Sequence, residues 1–369
     1  MPMLADVADA VIGVDTHADT HALQIAGASG VPIAECTITN DENGFAEAIA
    51  FAGRHAPGPR VFFALEGTRS YGVGLARALT AAGIPVIEVV RSPRESRRRK
   101  GKTDRIDAGL AVLAALRMDV DRLPVPRSDG DREALRILLG ARDEMATTRT
   151  RQVNRLRALL LTGCDNDRAA AKAALTKARL NAFISRRPDR VEDCQSLVRR
   201  TEIRRLAQAI RQADEELTAN NRQLTEIVNR ITPLLLQRRG IGPVSAAQVI
   251  VSYSHPGRCR NDGAFAYLAG SCPIPASSGR TRRWRLNRGG DRASTGRCTP
   301  SLSRMTSCPR TRDYADRRRG EGKSNAEIRR CLIGEVSARD PQGSWLLGRC
   351  RGTASLPRRW TASLSSAAP

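Results

Sequence analysis

Histidine and paired cysteine are what this chain is short of. Only four histidines occur (His17, His21, His55 and His255), and none of the nine cysteines stands in a CxxC pair. A zinc site of thiolate and imidazole is therefore not expected. An odd number of scattered cysteines points instead to free thiols in a reducing compartment. No stretch approaches the apolar length of a membrane span. The opening MPMLADVADA has neither a basic leader region nor a sustained apolar core. The expectation is a cytoplasmic protein with no membrane partner. Acidic charge is scarce as well: 38 Asp and Glu face 61 Lys and Arg, giving a net charge of +23.

That excess creates a field attractive to polyanions. It is clustered too, in RSPRESRRRKGK (Arg91 to Lys102), RTRQVNRLR (Arg149 to Arg157) and RTRRWRLNRGGDR (Arg280 to Arg292). Nucleic acid is the expected partner. Against this basic background four carboxylates stand out. Asp15 sits in the apolar run Val11–Asp15, and Glu66 ends the run Val61–Glu66. Asp104 and Asp107 open a helical stretch in KGKTDRID. Carboxylates at the ends of neighbouring strands, facing an i,i+3 pair on a helix, suit hard divalent cations such as Mg2+. Two such ions about 4 Å apart would favour in-line attack at a phosphodiester. Lys102 and Arg105 flank the acidic pair, where they could neutralise a phosphate or face solvent. His17 and His21 follow Asp15 and are expected to shape the strand turn, since an all-oxygen site does not require imidazole.

Residues 9–125 alternate strand and helix signals. Apolar or alternating runs at Val11–Val14, Ala22–Ala26 and Val31–Thr39 precede a helix over Asn43–His55 and a strand over Val61–Leu65. A helix over Ser70–Ala82, a strand over Pro85–Val90 and a helix over Thr103–Arg117 follow. Three strands in succession, then alternating helix and strand, is the order of a ribonuclease H-like (RuvC-like) α/β domain. A doubly wound sheet would need a helix between the first strands, and the spacing leaves no room for one. Residues 131–237 turn helical, with amphipathic stretches at Arg136–Leu161 and Arg200–Leu236 whose apolar spacing suits a coiled-coil-like arm. Such an arm would space two domains or pair two subunits.

A mostly α-helical third region, 238–332, opens with Gly240-Ile241-Gly242 before an Ala-rich helix. This pattern is that of a helix-hairpin-helix element, in which turn amides hold a DNA phosphate. Downstream, Ser277 and Ser278 lie in a loop bounded by Pro and Gly, directly before Arg280, Arg282, Arg283, Arg285 and Arg288. A serine hydroxyl among guanidinium groups can attack phosphorus, because arginines stabilise the charge of the transition state. The same residues could instead form a turn whose basic side chains grip a backbone. Trp284 within the cluster could stack on a base or anchor the loop.

The motifs VIGVDTHADTHALQIAG, ALEGTRSYGVGLARAL and GKTDRIDAGLAV, followed by RRGIGPVSAAQVIVSY and PIPASSGRTRRWRLNRGGDR, resemble those of IS110 family transposases (the IS110/IS116/IS902 group). The likeness spans roughly residues 9–332. It implies an amino-terminal RuvC-like domain whose acidic set falls on Asp15, Glu66, Asp104 and Asp107. It further implies a carboxy-terminal transposase domain whose nucleophilic serine falls on Ser278 or Ser277, with Ser278, the residue before the glycine, preferred. The resemblance implies strand cutting and rejoining through a serine–DNA intermediate, a structured non-coding guide RNA, and a dimer or tetramer. Two other readings of the residues stay open: a nucleic-acid-binding remnant without catalysis, and a RuvC-like structure-specific nuclease using water and the carboxylates alone.

Two segments depart from the family pattern. After Gly289-Gly290-Asp291-Arg292 an apolar helix is expected, yet Ala293–Ser303 reads ASTGRCTPSLS; the family pattern resumes at Pro309–Arg319. The last stretch, 333–369, is rich in Ser, Arg, Pro and Gly and is expected to be a divergent tail. Both have the composition of frame-shifted, high-GC coding sequence, as a decayed copy would carry.

Overall fold

The computed structural model describes residues 2–89, 104–187, 193–237, 241–254, 258–259, 261–270, 274–275, 279, 284–285, 287, 291, 309–325 and 328. The chain divides into two compact units. One contains Met1–Glu133, Tyr253–Arg292 and Asn325–Pro369, the other Ala134–Ser252 and Ala293–Ser324.

The first unit is built on a mixed sheet. Strands β1 (Ala10–Thr16), β2 (Thr20–Gly27) and β3 (Pro32–Thr39) form an antiparallel meander. Short turns join them, and the second is possible because Gly30 adopts a positive φ of 78°. Helix α1 (Leu4–Val7) precedes the meander, and α2 (Glu42–His55) follows it. The Asp41 side chain accepts the Gly44 amide at 2.8 Å and so caps α2. Strand β4 (Val61–Leu65) then returns parallel to β1. After α3 (Val73–Ala81), β5 (Val86–Glu88) lies parallel to β4. The strand order among the described residues is β3-β2-β1-β4-β5. This is the sheet expected of the ribonuclease H-like order of elements.

Strand alternation sorts the apolar residues between two faces. Ala10, Ile12 and Val14 of β1, with Phe63 and Leu65 of β4, pack against Ala48 and Phe51 of α2 and Leu75 and Leu79 of α3. Val11 of β1 and Phe62 and Ala64 of β4 meet Ala111, Val112 and Ala115 of α4 (Asp104–Leu116) on the opposite face. Each fully buried Leu or Phe contributes about 1.5–3 kcal/mol. Gly13 brings α4 against β1, since a Cβ there would lie 2.0 Å from the Ala108 carbonyl oxygen.

The second unit holds most of two long helices, α5 (Gly130–Leu161) and α8 (Cys194–Ile231). Their contacts run in opposite directions along the chain. Arg142 Nη1 donates to the Leu217 carbonyl at 3.2 Å, Arg149 pairs with Asp214, and Leu156 and Leu160 cluster with Ile203, Leu206 and Ile210. The two long helices therefore pair as an antiparallel hairpin. Two short helices, α6 (Asp165–Lys172) and α7 (Lys177–Ser185), lie between its arms in sequence. Pro233 interrupts the second apolar stretch, so α8 ends at Ile231 and a single turn, α9 (Pro233–Leu236), follows. Helix α10 (Pro243–Tyr253) starts directly after Gly242, with proline at its first position. No helix among the described residues is long and apolar enough to cross a membrane.

Candidate active site

Asp15 and Glu66 are brought together by strand register. Val14 pairs with Leu65 across the parallel β1–β4 ladder, so the next residue on each strand is a carboxylate. The Glu66 amide donates to the Val14 carbonyl at 3.3 Å, and Thr16 Oγ1 donates to the Glu66 carbonyl at 3.1 Å. These bonds carry the alignment one residue past β4. Side-chain direction follows from alternation: Val11, Gly13 and Asp15 share one face of β1, while Phe62, Ala64 and Glu66 share that same face of β4. That face is the one covered by α4. Both carboxylates are buried, at 5% and 7% exposure.

Asp107 lies in the first turn of α4, immediately before Ala108, whose carbonyl oxygen faces Gly13. It is buried at 5% exposure. Asp104 begins the same helix, one turn earlier. The side chains of Asp104 and Arg105 lie outside the described residues, as does Lys102. Among the described residues no three His, Cys, Asp or Glu side chains close into a metal cage. The donors nevertheless suit a hard cation in kind: buried carboxylate oxygens drawn from β1, β4 and α4. A divalent cation could be held by Asp15, Glu66 and Asp107.

The two nearby histidines differ in role. His21 is fully buried and stacks on Phe45, with ring centroids 6.4 Å apart. Its Nδ1 lies 3.3 Å from the His17 amide nitrogen and 3.0 Å from the Thr20 carbonyl oxygen. Burial pulls its proton affinity down. His21 thus shapes the β1–β2 turn. His17 stands in the same turn, its amide donating to the Thr20 carbonyl at 3.1 Å, and in addition reaches Asp15, with Nε2 3.2 Å from Oδ2.

The second constellation is described only in part. Ser277, Ser278, Arg280, Arg282, Arg283 and Arg288 lie outside the described residues, as does Gly240 of the glycine turn. On either side of the serine segment, Ile274–Pro275 pairs antiparallel with Trp284–Arg285. Gly279 between them has a φ of 57°, the left-handed region that glycine adopts without strain. Arg285 is exposed. Asn287 is buried and donates from Nδ2 to the Tyr267 carbonyl at 2.9 Å, tying the hairpin to α11 (Asp262–Leu268). Gly242 accepts the Ala246 amide at 2.9 Å through its carbonyl, opening α10 as the sequence suggested.

The pairing of Glu88 with Arg127 is not marked by any motif in the sequence. Glu88, at the end of β5, is 8% exposed and accepts a two-pronged bond from Arg127, with Nε 2.8 Å from Oε2 and Nη2 on Oε1. Burial pushes the Glu88 carboxyl up, but Arg127, Thr68 and Arg69 together bring it below the usual carboxylate value. Arg127 sits in the irregular segment between the short helical turn Val120–Arg122 and α5, with no motif around it. The available signal was Glu88 itself, an acid inside the apolar run Val86–Val90, which required a buried cation.

The chain is similar to transposases in two spans. A transposase family model, that of the IS110 DEDD domain, matches residues 12–164, and a model described as transposase, IS116/IS110/IS902 family, matches residues 232–314. The first span contains all four carboxylates, the second both serines. An insertion element IS900 42 kDa protein from Mycobacterium paratuberculosis is 26% identical over 363 residues, covering 85% of this chain and 90% of its own length. An insertion element IS116 44.8 kDa protein from Streptomyces clavuligerus is 26% identical over 362 residues, covering 84% and 88%. With its mixed sheet in place and both family models matched in order, the chain belongs to the IS110/IS116/IS902 family of transposases.

Proposed function

We propose that this transposase cuts and rejoins DNA at the ends of the insertion sequence that encodes it, using the carboxylates Asp15, Glu66, Asp104 and Asp107 together with a serine nucleophile. The observation that carries the reading is the register of β1 and β4, which sets Asp15 and Glu66 side by side on the face covered by α4. A divalent cation, Mg2+ by donor chemistry, supplies charge neutralisation at the phosphate when bound. The carboxylates hold it, and their burial lowers the surrounding dielectric. His17 stays on Asp15 Oδ2, which fixes the orientation of that carboxylate.

Ser278, or its neighbour Ser277, provides the hydroxyl. Its proton passes to water as the Oγ–P bond forms, and the P–O bond to the departing nucleotide breaks, the departing oxygen taking a proton from water. A second DNA hydroxyl then attacks the phosphorus and gives its proton to water; the Oγ–P bond breaks, the serine regains a proton, and the strands are rejoined. The arginines Arg280, Arg282, Arg283, Arg285 and Arg288 stabilise the phosphoryl charge, and the turn at Gly240 and Gly242 grips backbone phosphate. A structured guide RNA supplies sequence choice, while the basic surface holds both nucleic acids. The enzyme works in the cytoplasm as a homo-oligomer. Domain limits of 9–125, 131–237 and 238–332, with a divergent 333–369 tail, complete the proposal.

Trapping of covalent protein–DNA adducts tests the reading. Ser278→Ala or Ser277→Ala should abolish the adduct at one position only. Adduct formation that survives in the double variant removes the serine from the mechanism. Cleavage retained in that variant, but lost in Asp15→Asn, would assign attack to water.

A further inference from the structure

At the carboxyl edge of the parallel strands, next to the carboxylate pair, arginines gather around Glu88. Leu65 of β4 pairs with Glu88 of β5, so this cluster begins one strand away from Glu66. Arg127 grips Glu88 and directs its remaining Nη1 onto Ser254 Oγ. Arg69 follows Glu66 by three residues, and its Nη2 stands 3.9 Å from Glu88 Oε1. Arg132 carries Nη1 3.9 Å from Glu133 Oε2. Burial, with repulsion from Arg127 and Arg69, pulls Arg132 down to about 10. Arg258 is lowered by partial desolvation and by the same two arginines, although its residue surface opens to solvent.

The cluster has a floor and a rim. Arg127 and Arg132 form the floor, with side chains 12% and 15% exposed. Arg69, 37% exposed, and Arg258 form the rim. Arg69 and Arg127 both face Glu88, and Arg258 follows four residues after Ser254, the hydroxyl that Arg127 bonds. Ser254 is the one non-glycine residue with positive φ, 72°, among the described residues. Strain of this kind gathers at binding sites. It holds the hydroxyl on Arg127. In open parallel sheets ligands bind outside the carboxyl ends of the strands.

We propose that Arg69 and Arg258 seat a DNA backbone phosphate flanking the one that is cut, over a positive floor made by Arg127 and Arg132. Glu88 keeps the Arg127 fork in place, and the rim guanidiniums make the contacts. The seat aligns the strand so that its neighbouring phosphate meets Asp15 and Glu66. It rests on DNA being the substrate and not on which group attacks phosphorus, so binding measured without divalent cation tests it apart from the chemistry.

The experiment is fluorescence anisotropy of the full chain with a labelled duplex of about 20 base pairs in EDTA, over a range of NaCl concentrations. Arg69→Gln and Arg258→Gln are each expected to weaken binding uniformly across sequences and to lower the salt slope by about 1. Their unfolding midpoints should match the parent protein. Arg77→Gln, which removes an exposed arginine paired with Asp129, is the control and should leave the slope unchanged. An unchanged slope in both rim variants, whether or not stability falls, makes the cluster a structural ion-pair network and overturns the proposal. An equal loss in Arg77→Gln makes it nonspecific surface charge. A loss confined to single-stranded RNA of the same length removes the assignment to DNA.

Discussion

Asp15 and Glu66 stand next to each other because Val14 pairs with Leu65 and each strand continues by one residue into an acid. The Glu66 amide, bonded to the Val14 carbonyl at 3.3 Å, fixes that step. A shift of one residue in either strand would send its carboxylate to the face covered by α2 and α3. The juxtaposition of the two acids is therefore a property of strand register.

Gly13 tests the approach of α4. A Cβ at this position meets the Ala108 carbonyl oxygen at 2.0 Å and Val112 Cγ2 at 2.9 Å, both too close to tolerate. Gly13→Ala is expected to destabilise the protein by about 1–3 kcal/mol through overpacking and to displace the helix bearing Asp107. Denaturant unfolding checks the first effect, and loss of DNA cleavage at a temperature where the variant stays folded checks the second.

Glu88 sets a pH dependence. Its folded carboxyl lies below the ordinary value of 4.5, where burial is outweighed by Arg127, Thr68 and Arg69. The native state therefore binds this proton less readily than the unfolded chain. The stabilisation is full above the unfolded value and is lost as pH falls through the folded one. Arg127→Ala, which leaves Glu88 buried alone, should cost about 3–5 kcal/mol near neutral pH. In Glu88→Gln the part of the acid-side decline due to this group should vanish, read as unfolding free energy from pH 3 to pH 6 (about the range set by the carboxylate values).

Asn220 links the two arms of the helical hairpin. It is 4% exposed, donates to the Leu138 carbonyl at 3.0 Å and accepts from Arg142 Nη1 at 3.3 Å. Asn220→Ala leaves both partners short of a bond and is expected to cost about 1–3 kcal/mol. Equilibrium denaturation measures it.

Much of this architecture was legible in the sequence. The sheet could be read because each strand carries an apolar run closed by a turn, and the absence of a helix between β1 and β3 fixed the meander. Asp15 and Glu66 stood out because a carboxylate in an apolar run is costly without a purpose, and Asp104 and Asp107 by their i,i+3 spacing; the β1–β4 register sets the first two on neighbouring strands. His17 was harder to place: its spacing suits a turn residue, yet it lies against Asp15, a contact that depends on how the chain leaves β1. The break after Ile231 was announced by Pro233 but masked by the apolar residues that continue beyond it. The Arg127–Glu88 pair was invisible, because its partners are 39 residues apart and Arg127 carries no local periodicity. Ser277 and Ser278 lie outside the described residues, so the serine rests on motif alone.

The composition of Ala293–Ser303 makes a prediction about coding DNA. If this stretch arose by a shift of frame, translation of the same nucleotides in another frame should yield an amphipathic helix leading into Pro309. Restoration of that frame should raise the amount of covalent protein–DNA adduct. A shifted frame without such a helix would mark the segment as ordinary divergence.

The carboxylates at the ends of β1 and β4 and on α4 are expected to bind divalent cation together, which calorimetric titration of Mn2+, as a stand-in for Mg2+, into the full chain measures. Saturable binding that weakens at least about tenfold in both Asp15→Asn and Glu66→Gln, a loss of about 1.4 kcal/mol in each, is the expected result. Equal affinity in the parent protein and both variants would contradict it.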